Sequence, residues 1–301
     1  MLTDQFILSF LANTKIRFSM ADFISAMHCL KQVGSLRHRD FLARFPQILQ
    51  VLRAEGKNYF SDLERLCEKD LLCGYQFTYP GHPLYPEELM SVSQPPFFLQ
   101  YQGSPIWMAQ QGFSVVGNRE PTALTEAWFE ATMHEFMQSH AMYSISGGAR
   151  GVDQLLHKAS LRNHVPTVAL LPCGLNKIYP ASLNEIRQDI LDQGGALLTE
   201  YSSSEPMDKR NFISRNRLIA GLGLFVLIVE ARHRSGTMIT ARYAIDQHKP
   251  VLVVPSHPFD VKSQGGLELL CEGAGIVRDA IDLRMHFESE KVRLIAAISE
   301  V

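Results

Sequence analysis

The sequence predicts an α/β protein built on a doubly wound, mostly parallel sheet, with a small helical domain ahead of it. Six short apolar runs alternate with helix-like stretches: "FSVVG" (113–117), "AMYSIS" (141–146), "TVALLP" (167–172), "GALLTEY" (195–201), "LFVLIVEA" (224–231) and "PVLVVP" (250–255). Strands apolar on both faces and separated by helices belong to a parallel sheet covered on both sides. Residues 1 to about 72 lack such runs and instead carry apolar residues at three- and four-residue steps, as with Phe23, Met27 and Leu30, which is the helical period.

In chain order, residues 1–78 form the predicted helical domain. The apolar run in "MLTDQFILSFLANTKIRF" is broken early by Asn13 and Lys15, too short for a signal peptide or a membrane span. Proline and glycine then crowd "YPGHPLYPEELMSVSQPPFFLQYQGSP" (79–105), so 79–112 reads as an ordered connector leading to a strand. The alternating domain occupies 79–280. From about 279 the chain reads as one terminal helix, a helical tail over 281–301 with no space for another domain. No tandem repeat or low-complexity segment interrupts this order.

Composition narrows the function. With 46% apolar residues the 301-residue chain can bury a substantial core, and a net charge of −2 gives no bulk basic signal for nucleic acid or membrane. Five scattered cysteines, Cys29, Cys67, Cys73, Cys173 and Cys271, form no C-x-x-C pair, which points to a reduced, cytoplasmic setting. Any anion site is therefore local.

The stretch "SISGGARGVD" (144–153) runs from a strand through Gly147, Gly148 and Gly151 into a helix. It is neither G-x-G-x-x-G nor a P-loop, since Val152 and Asp153 follow Gly151 where a P-loop has Lys and Ser or Thr. A dinucleotide cofactor and ATP hydrolysis lose their support. Two readings remain. Backbone amides at the helix start hold an anion with Arg150 beside them, or the glycines only permit tight strand–helix packing.

Four further turns leave the same carboxyl edge of a parallel sheet: Asn118-Arg119; Gly174 with Lys177; "FISRNR" with Arg215 and Arg217; and Arg232-His233-Arg234-Ser235-Gly236-Thr237. Residues 205–242 hold seven Lys/Arg against three acids, a local +4, so the remainder carries −6. A basic edge on an acidic body focuses a polyanion. Tyr179, Tyr201, Phe212 and Tyr243 lie near these turns, where aromatics either stack on bases or cover core edges.

No G-x-S-x-G elbow, H-E-x-x-H or Cys/His metal spacing is present, so no catalytic residue, metal or cofactor is assigned. Asp153 and His157, four apart, are read as structural: Asp153 favours the helix start and His157 packs or pairs with it. Glu200 and Glu230 near strand ends are read as orienting the arginines, whose charges keep them ionised.

Six ordered segments resemble the DNA-processing protein A (DprA/Smf) family over about 79–275: "HPLYPEELMSVSQPPFFLQYQG", "SGGARGVDQLLHKASL", "LPCGLNKIYP", "LLTEY", "NFISRNRLIAGL" and "VLIVEARHRSGTMITARYAIDQHKPVLVVP". The resemblance implies an extended Rossmann-like domain that binds single-stranded DNA, forms homodimers and helps load a RecA-type recombinase in natural transformation, without being an enzyme. By motif position it places Arg119, Ser146, Gly147, Gly148, Arg150, Gly151, Asp153, Asn211, Arg215, Asn216, Arg217, Arg234, Ser235, Gly236, Thr237 and Thr240 in the DNA pocket; Lys177 joins them from its turn. "GGLELLCEGAGIV" resembles the family's dimer-forming region and implies an interface at Leu267, Leu269, Leu270 and Ile276, against the plainer possibility that these residues finish the core. Departures stand at Ile213, where the family commonly has proline, at Leu183, where it has asparagine, and at Leu267. The winged-helix domain of some members has no space here.

The alternative is an enzyme of the phosphoribohydrolase type, which shares a glycine-rich turn and a nucleotide edge site, but its second motif P-G-G-x-G-T has no counterpart. A scaffold for an acidic protein partner is a third reading. The DNA-binding reading expects Arg150→Ala, and Arg215→Ala combined with Arg217→Ala, to weaken DNA binding with the fold intact. Lys31→Ala is its silent control.

Overall fold

The computed structural model describes residues 59–138 and 141–299. Most of the predicted N-terminal helical domain, including Phe23, Met27, Leu30, Cys29 and Lys31, lies outside the described residues. Helix α1 (Tyr59–Leu72) leads into β1 (Gln76–Thr78), which pairs antiparallel with β2 (Leu99–Gly103). The sheet thus begins at residue 76, ahead of the boundary drawn at 78, and the connector itself contributes β2 and two short 3-10 turns.

From there strand and helix alternate as the apolar runs require: β3 (Gln111–Gly117), α2 (Ala123–Met137), β4 (Met142–Ser146), α3 (Val152–Arg162), β5 (Thr167–Leu170), α4 (Asn184–Asp192), β6 (Ala196–Thr199), α5 (Lys209–Leu222), β7 (Val226–Val229), α6 (Gly236–Asp246), β8 (Val251–Val253), α7 (Gln264–Cys271), β9 (Gly275–Ile276) and α8 (Ala280–Ser299). Every predicted strand is present. The strand order is β1-β2-β6-β5-β4-β3-β7-β8-β9, with β3 to β9 all parallel and β2 antiparallel to β6.

Alternation across the strands divides the core into two layers. Val116, Val226 and Ile228 face one side, where α5 supplies Leu218, Ile219 and Leu222 and α6 supplies Met238, Ala241 and Ala244. Phe113, Val115, Leu227 and Val229 face the other, against Phe129, Met133 and Phe136 of α2, Leu156 of α3, and Leu283 and Phe287 of α8. Phe136 stands edge-on to Phe113 at 5.1 Å and to Phe287 at 6.0 Å. Each such ring contributes about 1.5–3 kcal/mol by burial, so the terminal helix is bound into the core.

The chain builds β3 at the centre, winds outward through β4, β5 and β6, then crosses back to lay β7 against the other side of β3. The turns after β3 and β7 consequently diverge, and the crevice that opens there is where open α/β sheets bind ligands. Among the described residues, no helix is long and apolar enough to cross a membrane.

Candidate functional site

A cavity of about 640 Å³ opens at the β3–β7 crossover. Asn118 and Arg119 enter it from the β3 turn, Ala149 and Asp153 from the glycine-rich turn, Phe212, Arg215 and Asn216 from α5, and Ser235, Gly236, Thr237 and Thr240 from the start of α6. Ser235 caps α6, its side chain accepting from Met238 N–H. Among the described residues, nothing stands within 4 Å of where a Cβ at Gly236 would be, so the positive end of this helix faces the cavity that Gly236 lines.

The floor is a buried cation. Arg215 is 2% exposed, donates from Nη1 to Leu170 O at 2.7 Å, and finds no acceptor for its Nε–H among the described residues. Burial lowers its pKa to about 10, with the Asp153 charge opposing that fall; it stays protonated at neutral pH. Phe212 lies within cation–π reach of two guanidinium groups, 5.2 Å from Arg119 and 5.6 Å from Arg215, and packs perpendicular to Tyr179 with ring centroids 5.9 Å apart. Cations and aromatic faces so interleaved suit a polyanion carrying flat bases.

The glycine-rich turn departs from the anion cradle expected of it. Asp153 turns back so that one carboxylate oxygen accepts from both Gly147 N–H and Ala149 N–H at 3.2 Å. Those amides are occupied by the protein's own carboxylate. Burial raises the pKa of Asp153, while Arg215 and the two amides hold it down. Gly147 is required because a Cβ there would overlap the Arg215 guanidinium; Gly148, at φ +69°, would meet Leu183 at 2.5 Å; Gly151, at φ +80°, would strike the Asn118–Arg119 backbone. Close packing is the part of the two readings that these glycines serve, and Leu183 fills the space beneath the turn.

Other sequence-assigned residues separate into rim, support and core. Arg150, Lys177 and Arg234 are exposed and do not line the cavity; Arg234 instead borders a neighbouring groove that shares Ser235. Ser146 is buried and donates to Val115 O at 2.7 Å, tying β4 to β3. Asn216 donates to Gly236 O at 3.3 Å and Thr237 to Gly117 O at 3.0 Å, linking α5, α6 and β3 around the opening. The carbonyl of Asn211 accepts from Tyr201 Oη. Tyr243 packs on the core.

Arg217 is a correction. It is 6% exposed and points away from the cavity. Both terminal nitrogens bond Glu200 at 2.6 Å, and Nε and Nη2 donate to the carbonyls of Ser93 and Gln94. Burial would lower its pKa, but Glu200 raises it. The arginine is buried against the connector, so the expectation that its removal leaves the fold unmoved fails. Glu200 does orient an arginine; Glu230 does not. The Glu230 carboxylate accepts from Asn118, from Thr122 N–H and Oγ1, and from Thr125 Oγ1; burial would raise its pKa, but these bonds hold it low. It fixes the β3 turn that carries Arg119. His157 pairs with Thr167 Oγ1 at 2.7 Å rather than with Asp153, and burial lowers its pKa to about 3.

In the late segment, Leu269 is buried and Leu270 packs on the core, Leu267 is half-buried, and Ile276 is 52% exposed on β9 at the sheet margin. Leu269 finishes the core. Lining residues that the sequence did not assign to the pocket include Glu120, Met207, Lys209 and Ile213. Lys209 is visible as part of the basic stretch and Ile213 as a departure from the family's proline; Met207 carries no local signal of its position.

The model of the family described as DNA recombination-mediator protein A matches residues 76–288. Protein Smf of Synechocystis is 34% identical over 206 residues, 67% of this chain and 51% of that protein. DNA processing protein DprA of Bacillus subtilis is 30% identical over 245 residues, 81% of this chain and 75% of that protein. The chain spans about half the length of the Synechocystis and Escherichia coli Smf proteins. The X-ray structure of DprA from Streptococcus pneumoniae superposes with a TM-score of 0.69 at 26% identity, covering 94% of this chain and 93% of that one. DNA processing protein A from Helicobacter pylori, described for its single-stranded DNA binding mode, superposes with a TM-score of 0.64 at 28% identity, covering 72% and 96%.

Proposed function

The chain belongs to the DNA recombination-mediator protein A family, and from that premise we propose that it binds single-stranded DNA in the cavity at the β3–β7 crossover. The observation that carries this is Phe212 lining that crevice together with Arg119 and Arg215, whose guanidinium groups lie 5.2 and 5.6 Å from its ring centroid. An aromatic ring with two guanidinium groups nearby sets a stacking surface beside partners for the adjoining phosphates, and no base edge need be read. Duplex DNA, whose bases are already stacked, gains nothing from the ring. The single-stranded DNA binding of the Helicobacter pylori relative supports the same reading.

In this reading the protein protects incoming or processed single strands and passes them to a RecA-type recombinase in the cytoplasm, acting as a binding protein rather than a catalyst. Two carboxylates beside the cavity are held by the protein's own groups, which favours that role: Glu230 by Asn118, Thr122 and Thr125, and one oxygen of Asp153 by two backbone amides. Homodimerisation through the sheet margin is part of the proposal, with Ile276, Leu267 and Leu270 as the available apolar contacts and Leu269 as their buried support.

Filter binding of single- and double-stranded oligonucleotides across a salt series tests the proposal. Single strands are expected to bind more tightly, with a log–log salt slope of about −0.7 per neutralised phosphate. Equal affinity for both forms at every salt concentration overturns it.

A further inference from the structure

The most exposed large apolar side chains among the described residues include Phe259, 89% exposed, and Val261, 77% exposed. Both sit on the loop that follows β8, two residues apart. Solvent exposure of a phenylalanine forfeits its burial energy, and this loop does not shed it by chance, because its backbone is held at many points. Phe259 N–H donates to His257 Nδ1 at 3.2 Å, and Asp260 accepts from Lys262 N–H at 3.0 Å and from Ser263 Oγ at 2.7 Å. The His257 ring lies 5.4 Å from the Phe259 ring.

The loop is attached to the cavity wall through Lys262, and α7, which follows it directly, through Gly265. Lys262 Nζ donates to Glu120 O at 2.8 Å, and Glu120 lines the cavity from the β3 turn. Gly265 N–H donates to Ala231 O at 2.8 Å, directly before the cavity-lining Arg232 of the β7 turn. Because β8 is parallel to β7 and next to it, its loop leaves the same carboxyl edge one strand outward from the crossover. A strand leaving the cavity past Arg119 or Arg232 on this side runs toward the edge that carries Lys262 and the exposed Phe259.

We infer that Phe259, supported by His257 and with Lys262 beside it, is a second base-stacking platform that extends the single-stranded DNA path beyond the cavity toward β8. This rests on the single-stranded DNA reading of the cavity. It differs from that reading in predicting a length dependence: an oligonucleotide that only fills the cavity does not reach Phe259, and a longer one does.

Fluorescence anisotropy with thymidine oligonucleotides of about four and about sixteen nucleotides, bracketing the footprint of a single-strand module, compares the parent with Phe259→Ala and Phe259→Trp. Removing one stacked base is expected to weaken the long oligonucleotide about 5- to 140-fold and to leave the short one unchanged. Phe259→Trp is expected to keep parental affinity, with its new indole fluorescence quenched on saturation by the long oligonucleotide. Parental affinity of Phe259→Ala for the long oligonucleotide overturns the inference, whether or not the loop then proves to meet a protein partner. Equal losses on both lengths also overturn it, since they would make Phe259 part of the cavity itself. A parent that binds neither oligonucleotide overturns the cavity reading and this inference with it, so the two failures are told apart.

Discussion

The guanidinium of Arg215 lies directly beneath Gly147, in the space that any side chain at that position would need. The strand-to-helix turn and the floor of the cavity are therefore one packed unit. Its members come from β4, α3 and α5, and none of them can change size independently.

Gly147→Ala is expected to destabilise the fold by about 1–3 kcal/mol, the usual cost of forcing a methyl into a filled site. Urea denaturation measures it. Because the clash is with Arg215, the double variant with Arg215→Ala is expected to recover part of that loss in a double-mutant cycle. Strict additivity would show that the two positions do not meet.

Arg217→Ala is expected to cost about 3–5 kcal/mol, since it strands the largely buried Glu200 carboxylate, 14% exposed, together with the carbonyls of Ser93 and Gln94. Thermal melting checks this. A variant that melts with the parent would return Arg217 to the exposed role suggested by its place in "FISRNR".

Arg119→Ala separates binding from folding, because Arg119 is exposed and its support comes through the backbone turn that Glu230 secures. Its melting temperature is expected to match the parent. Affinity for single-stranded DNA should fall by about 1.5–3 kcal/mol, the range for a charged hydrogen bond, and the salt slope should become about 0.7 shallower. Arg150→Ala, also exposed, is expected to act in the same direction. Unchanged affinity and slope in both variants would remove the rim from the DNA path.

Acid stability carries a signature of His157. Its pKa falls from 6.5 to about 3 on folding through burial, with the Arg215 charge adding to the shift. Between those values the unfolded chain binds the proton and the folded chain does not, so stability falls as pH drops from about 6.5 toward 3 and is unaffected by this group above that window. His157→Gln is expected to flatten the slope of unfolding free energy against pH within the window. Parallel slopes for parent and variant would show that the imidazole is protonated in the folded protein.

The sequence by itself determined the strands, their parallel arrangement, the terminal helix and the edge at which cations gather. These are local properties: an apolar run of five residues, a helical period or a glycine turn declares itself within a few positions, and the carboxyl edge follows from strand direction alone. Tertiary structure decided what each charge does. Arg215 and Arg217 are two residues apart on one helix, yet one floors the cavity and the other is bound to Glu200 and to carbonyls 123 and 124 positions away. Asp153 takes the amides that the glycine turn was expected to offer a phosphate, and Glu230 grips threonines more than 100 residues earlier. Phe259 carries no motif, and its meaning comes only from a loop that is fastened, through Lys262 and through the helix that follows it, to two other turns. A charge writes its presence into the sequence, but its partner is chosen by the long-range packing that brings distant segments within hydrogen-bonding reach.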